Sequence, residues 1–237
     1  MSNPKPIIHI MTPGEVFYWP YFLSYTGLLR HLYRNGWQPF FHSKQGAYLQ
    51  HDRGEMLLGR GGQPFKGAYP FAGLSAKDED GVEWDLSDYS HILWIDNDMS
   101  FTSRGFETLL NRDLDIVGGM YTRSDGPMCH MDFDGENAKP GSFEHCKDME
   151  KPYEVFSVGF GFTLIKKGVF EKMADSENPW FYRFITEQDG RPLGLFGEDV
   201  AFGHNARTCG FKVHLDPTVR CGHYKRQLLF PGDVKEK

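Results

Sequence analysis

Two acidic pairs in this chain have the residue types and setting to do chemistry. The first is in Asp96-Asn97-Asp98, which ends the apolar run Ile92-Leu93-Trp94-Ile95. That run reads as a fully buried strand. In an open α/β sheet, ligands bind just beyond the carboxyl ends of such strands. Two carboxylates spaced i, i+2 are costly there unless something positive lies between them. A divalent cation is the usual answer, and oxygen ligands suit Mg²⁺, Mn²⁺ or Ca²⁺. The second pair is Glu198-Asp199, at the start of an expected helix. A carboxylate placed there could take a proton from a hydroxyl. The helix dipole favours its ionised form, whereas the neighbouring Phe196 and Val200 oppose ionisation by desolvation.

Plainer readings stand beside these. A carboxylate pair after a strand can be a solvated turn with a helix cap. Glu198-Asp199 can be an ordinary helix start. The segment Asp96–Glu107 loosely matches a calcium-binding helix-loop-helix, but that loop needs glycine where Phe101 stands and a helix where a strand precedes it. The four cysteines, Cys129, Cys146, Cys209 and Cys221, form no C-x-x-C pair and are expected as free thiols. Cys129-His130 and His145-Cys146 fit no standard zinc spacing and read as loop residues.

The elements that must hold the acidic pairs are legible in outline. Ile7–Met11 reads as an opening strand that ends at Thr12-Pro13-Gly14. A helix over 21–35 follows from the spacing of Phe22, Tyr25, Leu28, Leu29 and Leu32, with Gly36 as its stop. These side chains are expected in the core. Trp37–His42 is a second strand, whose Pro39 suggests a sheet edge or a bulge. A short helix is expected over 48–58. Residues 59–90 read as a long loop with a small hairpin at Gly81, and Gly59-Arg60-Gly61-Gly62 is a weak phosphate-cradle signal. After the acidic strand come a helix over 104–112 capped by Ser103, a strand over 115–121, and an aperiodic polar stretch over 123–151. The remainder reads as an apolar segment over 155–165, a short helix over 167–173, the cluster Trp180-Phe181-Tyr182, a helix over 198–208 and a strand over 212–215. No internal repeat or linker interrupts the chain, so one mixed α/β domain over 1–237 is expected.

Composition narrows the function. The chain has 237 residues, a hydrophobic fraction of 40% and a formal net charge of −6. It can bury one sizeable core, and its acidity argues against a broadly nucleic-acid-binding surface. The opening residues lack an apolar signal core, and no run approaches the roughly 20 apolar residues that span a bilayer. A cytoplasmic protein is expected, in the host cytoplasm if viral.

Taken in order, these pieces resemble the GT-A-fold glycosyltransferases, notably small phage- and virus-type members. The resemblance rests on Asp96-Asn97-Asp98, Gly118-Gly119-Met120-Tyr121 and Gly159-Phe160-Gly161-Phe162-Thr163-Leu164-Ile165. It continues through Pro179-Trp180-Phe181 and Phe196-Gly197-Glu198-Asp199-Val200, and closes with Cys221-Gly222-His223. It implies a Rossmann-like single domain with a mixed, mostly parallel sheet, a nucleotide-binding part over about 1–122 and an acceptor part over about 123–237. It also implies roles. Asp98 binds Mn²⁺ or Mg²⁺, Asp96 contacts the metal or the donor, and His223 completes the metal site, a mixed ligand set that favours Mn²⁺. Thr12, Pro13, Gly14, Arg53 and Asn97 lie with the donor, although Gly54 stands where the family's Arg-Asn pair has Asn. Asp199 is the base of an inverting reaction, with Glu198 beside it. Gly161, Trp180 and Phe181 face the acceptor.

The reading is therefore a metal-dependent transfer of a sugar from a nucleotide-sugar, UDP-linked before GDP-linked, to a glycan or other hydroxyl. Two rivals remain. One is a nucleotidyltransferase of related fold, which would carry an early basic, glycine-rich signature that Thr12–Phe17 lacks. The other is a sugar- or nucleotide-binding module without turnover.

Overall fold

The computed structural model describes residues 5–14, 16–45, 49–59, 65–78, 80–122, 128–135, 137–177, 179–181, 185–188, 191–195 and 197–224. The first part holds β1 (Ile7–Pro13), α1 (Trp19–Arg34), β2 (Gln38–Lys44), α2 (Leu49–Leu58), β3 (Ser75–Lys77), β4 (Glu83–Asp85), β5 (Tyr89–Ile95), β6 (Met99–Ser100), α3 (Ser103–Asn111) and β7 (Ile116–Met120). The second holds β8 (His130–Asp134), β9 (Asn137–Pro140), α4 (Phe143–Cys146), β10 (Tyr153–Val155), β11 (Ser157–Val158), β12 (Phe162–Lys166) and α5 (Val169–Ala174). It ends with β13 (Ile185–Gln188), β14 (Arg191–Leu195), α6 (Glu198–Thr208), β15 (Val213–Arg220) and β16 (Gly222–His223).

The fold is mixed α/β around a seven-stranded sheet of order β10-β15-β7-β12-β5-β1-β2. Pairing directions make β1, β2, β5, β7 and β15 run one way and β10 and β12 the other. The sheet is thus mixed and mostly parallel, as the sequence implied. β2 is its edge, which lets Pro39 sit in a strand without breaking a central ladder. The run Ile92–Ile95 has both faces covered: Ile92 and Trp94 belong to one apolar cluster, and Leu93 and Ile95 to the other. That double burial explains its unbroken hydrophobicity. Among the described residues no helix is long and apolar enough to cross a membrane.

Several expectations change. The cap of α3 is Thr102, whose hydroxyl accepts from the Gly105 amide, so Ser103 is the first helical residue. Phe22 is 47% exposed, because Tyr21, Leu28 and Leu32 form the buried face of α1. The stretch read as aperiodic contains β8, β9 and α4, and β8 joins β9 and β11 in a small antiparallel sheet. Strands of four or five residues are too short to show a clear period. The β13–β14 hairpin had no expected counterpart. The hairpin at Gly81 is present, with β3 and β4 paired across a glycine at φ 78°. Arg60, Gly61 and Gly62 of the proposed phosphate cradle, and Tyr182 and Phe196, lie outside the described residues.

Candidate active site

Topology brings four pieces of chain to the carboxyl end of β5. β12 runs antiparallel beside β5 with Phe162 opposite Ile95, so its leading Gly159-Phe160-Gly161 arrives next to Asp96. The Asp96 amide donates to the Gly161 carbonyl at 3.3 Å. β6 follows the acidic turn at once and pairs with β16, setting His223 opposite Met99. The Tyr224 amide then donates to the Asp98 carbonyl at 2.8 Å. This two-residue ladder is why a histidine 125 positions later reaches the acidic turn. The fourth piece is the N-terminus of α6, carrying Glu198 and Asp199.

His223 Nε2 lies 3.3 Å from Asp98 Oδ2, and its Nδ1 lies 2.7 Å from the Thr122 carbonyl oxygen. A carbonyl only accepts, so Nδ1 carries a proton. In neutral imidazole the Nε2 lone pair then faces a carboxylate oxygen. That contact is favourable only with a positive centre between the two atoms, either a second proton or a metal ion. The donor set, one carboxylate and one imidazole with an ordered second shell, fits a divalent cation of the Mn²⁺ type. Among the described residues no group of three or more His, Cys, Asp or Glu side chains encloses a metal by itself. A cation held here would draw further ligands from a bound phosphate or water, as Mg²⁺ and Mn²⁺ sites on nucleotides do.

Arg53 ties the acidic turn after β5 to α6. The residue is 1% exposed; its Nη2 donates to Asp96 Oδ1 at 3.2 Å, and its Nε stands 3.8 Å from Glu198 Oε1. The guanidinium lies over Phe160 at 4.7 Å and Trp94 at 5.2 Å, with Phe181 at 6.0 Å. Its Nε and Nη1 have no hydrogen-bond partner among the described residues. Asp96, Asp98, Glu198 and Asp199 thus set four carboxylates against this one guanidinium. Burial raises the Asp96 carboxyl above the usual carboxylate range, with Arg53 pulling the other way. Asp199 is raised too, first by burial and then by Glu198, although the Val200 amide donates to it at 2.8 Å. Desolvation therefore outweighs the helix terminus.

Asp96, Asp199 and His223 share one cleft of about 350 Å³ with Tyr121, His130 and Ser157. The two acidic neighbours separate here: Asp199 lines the cleft, and Glu198 turns toward Arg53. The residues expected at the donor gather in two groups. Asn97 Nδ2 donates to the Val16 carbonyl at 2.7 Å, and a Cβ on Gly14, at φ 125°, would come within 2.3 Å of that same nitrogen. Gly14 and Asn97 are therefore packed together at the end of β1. Thr12 is buried with its hydroxyl 2.7 Å from Tyr21 Oη, and Pro13 is buried beside it. Both support this corner from within.

Trp180 and Phe181 are core residues, not sugar platforms. They are 0% and 2% exposed, and the Trp180 indole N–H donates to the Phe170 carbonyl at 2.8 Å. Phe181 packs on Trp94, Phe160 and Phe202. Gly161 is buried against Tyr121: a Cβ there would approach the ring to 2.6 Å, and one at Gly159 would approach the hydroxyl to 2.3 Å. The glycines of Gly159-Phe160-Gly161 make room for Tyr121, whose hydroxyl accepts from the Gly161 amide at 2.8 Å. Tyr121 also meets the His223 ring edge-on, with centroids 5.4 Å apart. Sequence reasoning passed over Tyr121, His130 and Ser157 as site residues. The paired glycines around Phe160 were the signal for a bulky neighbour.

No family model and no curated protein matches the chain. A solved structure of GalNAc-T7 with UDP, GalNAc and Mn²⁺ is similar at 10% sequence identity and a TM-score of 0.45. The match covers 95% of this chain and 45% of that one, so the chain spans less than half its length.

Proposed function

We propose that the protein is a metal-dependent glycosyltransferase that moves a sugar from a nucleotide-sugar to a hydroxyl acceptor with inversion. The observation that carries this reading is the meeting, in one cleft, of His223, whose Nε2 lies against Asp98, with a buried carboxylate, Asp199. Asp98 and His223 would hold Mn²⁺ or Mg²⁺, which when bound would neutralise charge on the departing diphosphate. The corner of Gly14, Arg53, Asp96 and Asn97 supports the donor, with UDP favoured over GDP. The acceptor oxygen bonds to the anomeric carbon as that carbon's bond to the phosphate oxygen breaks. The nucleoside diphosphate leaves with the electron pair, and Asp199 takes the acceptor's proton. A raised carboxyl is the better base for this step, because a stronger conjugate acid holds the proton more firmly. Arg53 and Glu198 keep Asp199 and Asp96 in register without touching the reacting atoms.

The test is donor turnover. Purified protein with Mn²⁺ should release nucleoside diphosphate from one of a panel of UDP-, GDP-, CDP- and dTDP-sugars. With an acceptor present, NMR should show the anomeric configuration inverted. Retention would remove Asp199 as base. Silence across the panel, with UDP and Mn²⁺ nevertheless bound, would favour the binding module.

A further inference from the structure

The outer face of α1 carries large apolar side chains into solvent. Trp19 is 67% exposed and Leu23 53%, and Val16, Phe17 and Phe22 are exposed beside them. These side chains are neighbours: Trp19 stacks on Phe22 with centroids 5.7 Å apart, and Phe17 lies 5.8 Å from Phe41 of β2. A helix that faces water normally turns polar residues outward, and a grouped apolar patch marks an interaction surface. The same face becomes basic toward its other end. Leu23, Arg30 and Arg34 are spaced i, i+7 and i+11, which sets them on one line along the helix, with exposed Tyr33 nearby. Both arginines are exposed, and neither is ion-paired among the described residues. No Asp or Glu occurs from Val16 to Trp37, although the chain has 32. Glu107 of α3 meets the helix at His31, 3.3 Å away. Aromatic and aliphatic side chains of this kind enter the boundary between lipid headgroups and acyl chains. Charge of a single sign beside them suits a surface dense in phosphate, which arginine binds through paired N–H donors.

We propose that α1 is a membrane-docking helix. Its Trp19, Phe22 and Leu23 end enters the interfacial layer of a bilayer that contains anionic lipid, and Arg30 and Arg34 bind lipid phosphates. The helix lies on the membrane and does not cross it, since its 16 residues fall short of the roughly 20 that span a bilayer. The docked face is joined to the acidic turn: Asn97 Nδ2 donates to the Val16 carbonyl at 2.7 Å, and the Tyr18 amide donates to the Asn97 carbonyl at 3.3 Å. Docking therefore holds the carboxyl end of β5 near the lipid surface. The proposal stands apart from the glycosyl-transfer reading and needs no turnover to test.

The test sediments the full chain with vesicles of phosphatidylcholine alone, or of phosphatidylcholine and phosphatidylglycerol in equal parts. The mixed vesicles should carry the protein down, and the neutral ones should bind it more weakly. Trp19→Ser with Leu23→Ser should weaken binding by roughly tenfold or more. The melting temperature should not change, because both side chains are already exposed. Arg30→Gln with Arg34→Gln should weaken binding to the mixed vesicles by roughly tenfold and remove most of the difference between the two lipids. Brominated acyl chains should quench Trp19 fluorescence. Trp19→Phe should lose that quenching and still bind, since Trp94 and Trp180 are buried in the core, out of the lipid's reach. No binding to either vesicle overturns the proposal. So does binding that survives the Trp19→Ser/Leu23→Ser change, which would place the contact elsewhere. A concentration-dependent dimer in analytical sedimentation that this change abolishes would give the face to a second copy and overturn it too.

Discussion

Two buried polar clusters in this protein are built on opposite principles. Around Arg53, side chains of opposite charge type meet: a guanidinium caged by aromatic rings, with Asp96 and Glu198 against it. Around His9, charge is removed. The His9 Nε2–H donates to the Leu86 carbonyl at 2.8 Å, so Nδ1 accepts from His42 Nε2–H, also at 2.8 Å, and the ring stacks on Phe71 at 3.9 Å. Burial drives the pKa of His9 down to about 3 and that of His42 down to about 4. A hydrogen-bonded neutral pair costs less to bury than an ion pair. Oppositely charged side chains meet where Arg53 approaches Asp96 at the carboxyl end of β5, and again where buried Asp216 meets Arg112 at 2.7 Å. Under the proposed transfer reaction, the difference separates a cluster kept for chemistry from one kept for stability.

Removing the carboxylate beside His223 or the one that lines the cleft should produce the largest effects. Asp98→Ala takes away the carboxylate opposite His223 and should abolish Mn²⁺-dependent binding of UDP in calorimetry. The fold should survive, since Asp98 lies in the turn and not in the core. Unchanged metal-dependent affinity in the folded variant would disprove the metal pair. Asp199→Asn should lower kcat by about 10²–10⁴-fold, the usual worth of a positioned base, with a small change in donor KM. Glu198→Gln should behave differently: it lines no part of the cleft, so its main cost should be stability through Arg53. A larger kcat loss for Glu198→Gln than for Asp199→Asn would move the base by one residue.

Arg53 itself tests whether the charged cluster holds together as a unit. Arg53→Met fills similar space and strands Asp96 and Glu198. Breaking a fully buried pair costs about 3–5 kcal/mol. Asp96 keeps 27% of its side chain open, so the loss here should fall at or below the low end. Urea unfolding at pH 7 would measure it. The double variant Arg53→Met/Glu198→Gln should recover part of the loss, because the cost arises from a carboxylate without its counter-ion. Strict additivity of the two changes would mean that the 3.8 Å approach carries no coupling.

How much of this was readable in the chain depended on length scale. The run Ile92–Ile95 and its acidic stop were plain, because a strand buried on both faces leaves an unbroken apolar signature. The edge position of β2 was one of two readings that Pro39 allowed. The pairing of β16 with β6 was not, since two-residue strands carry no period, yet it alone delivers His223 to Asp98. The aromatic cluster misled in the other direction. Trp180 and Phe181 have the composition of a sugar platform, but composition cannot tell an inward ring from an outward one. His130 was hidden because its partners Asp132 and Tyr153 come together only when β8 and β10 fold beside each other.

The neutral cluster makes the smallest prediction and the cleanest in sign. His9 and His42 have folded pKa values of about 3 and about 4, below the ordinary value of 6.5. Their neutral forms therefore contribute stability that is fully present above about pH 6.5. That contribution is lost as pH falls, because the unfolded chain gains protons that the folded chain refuses. Each such histidine removes at most about 1.4 kcal/mol per pH unit across this window. Urea midpoints should hold steady from pH 8 to pH 7 as far as these two groups are concerned, and should fall between pH 6 and pH 4. His42→Gln keeps an N–H donor where His42 Nε2 stood, so the bond to His9 can survive while one titrating group disappears. The acid slope of that variant should be shallower than the parent's at nearly equal stability at pH 7. If the slope is unchanged, the acid sensitivity lies elsewhere, with His91, also lowered to about 4, as the next group to replace.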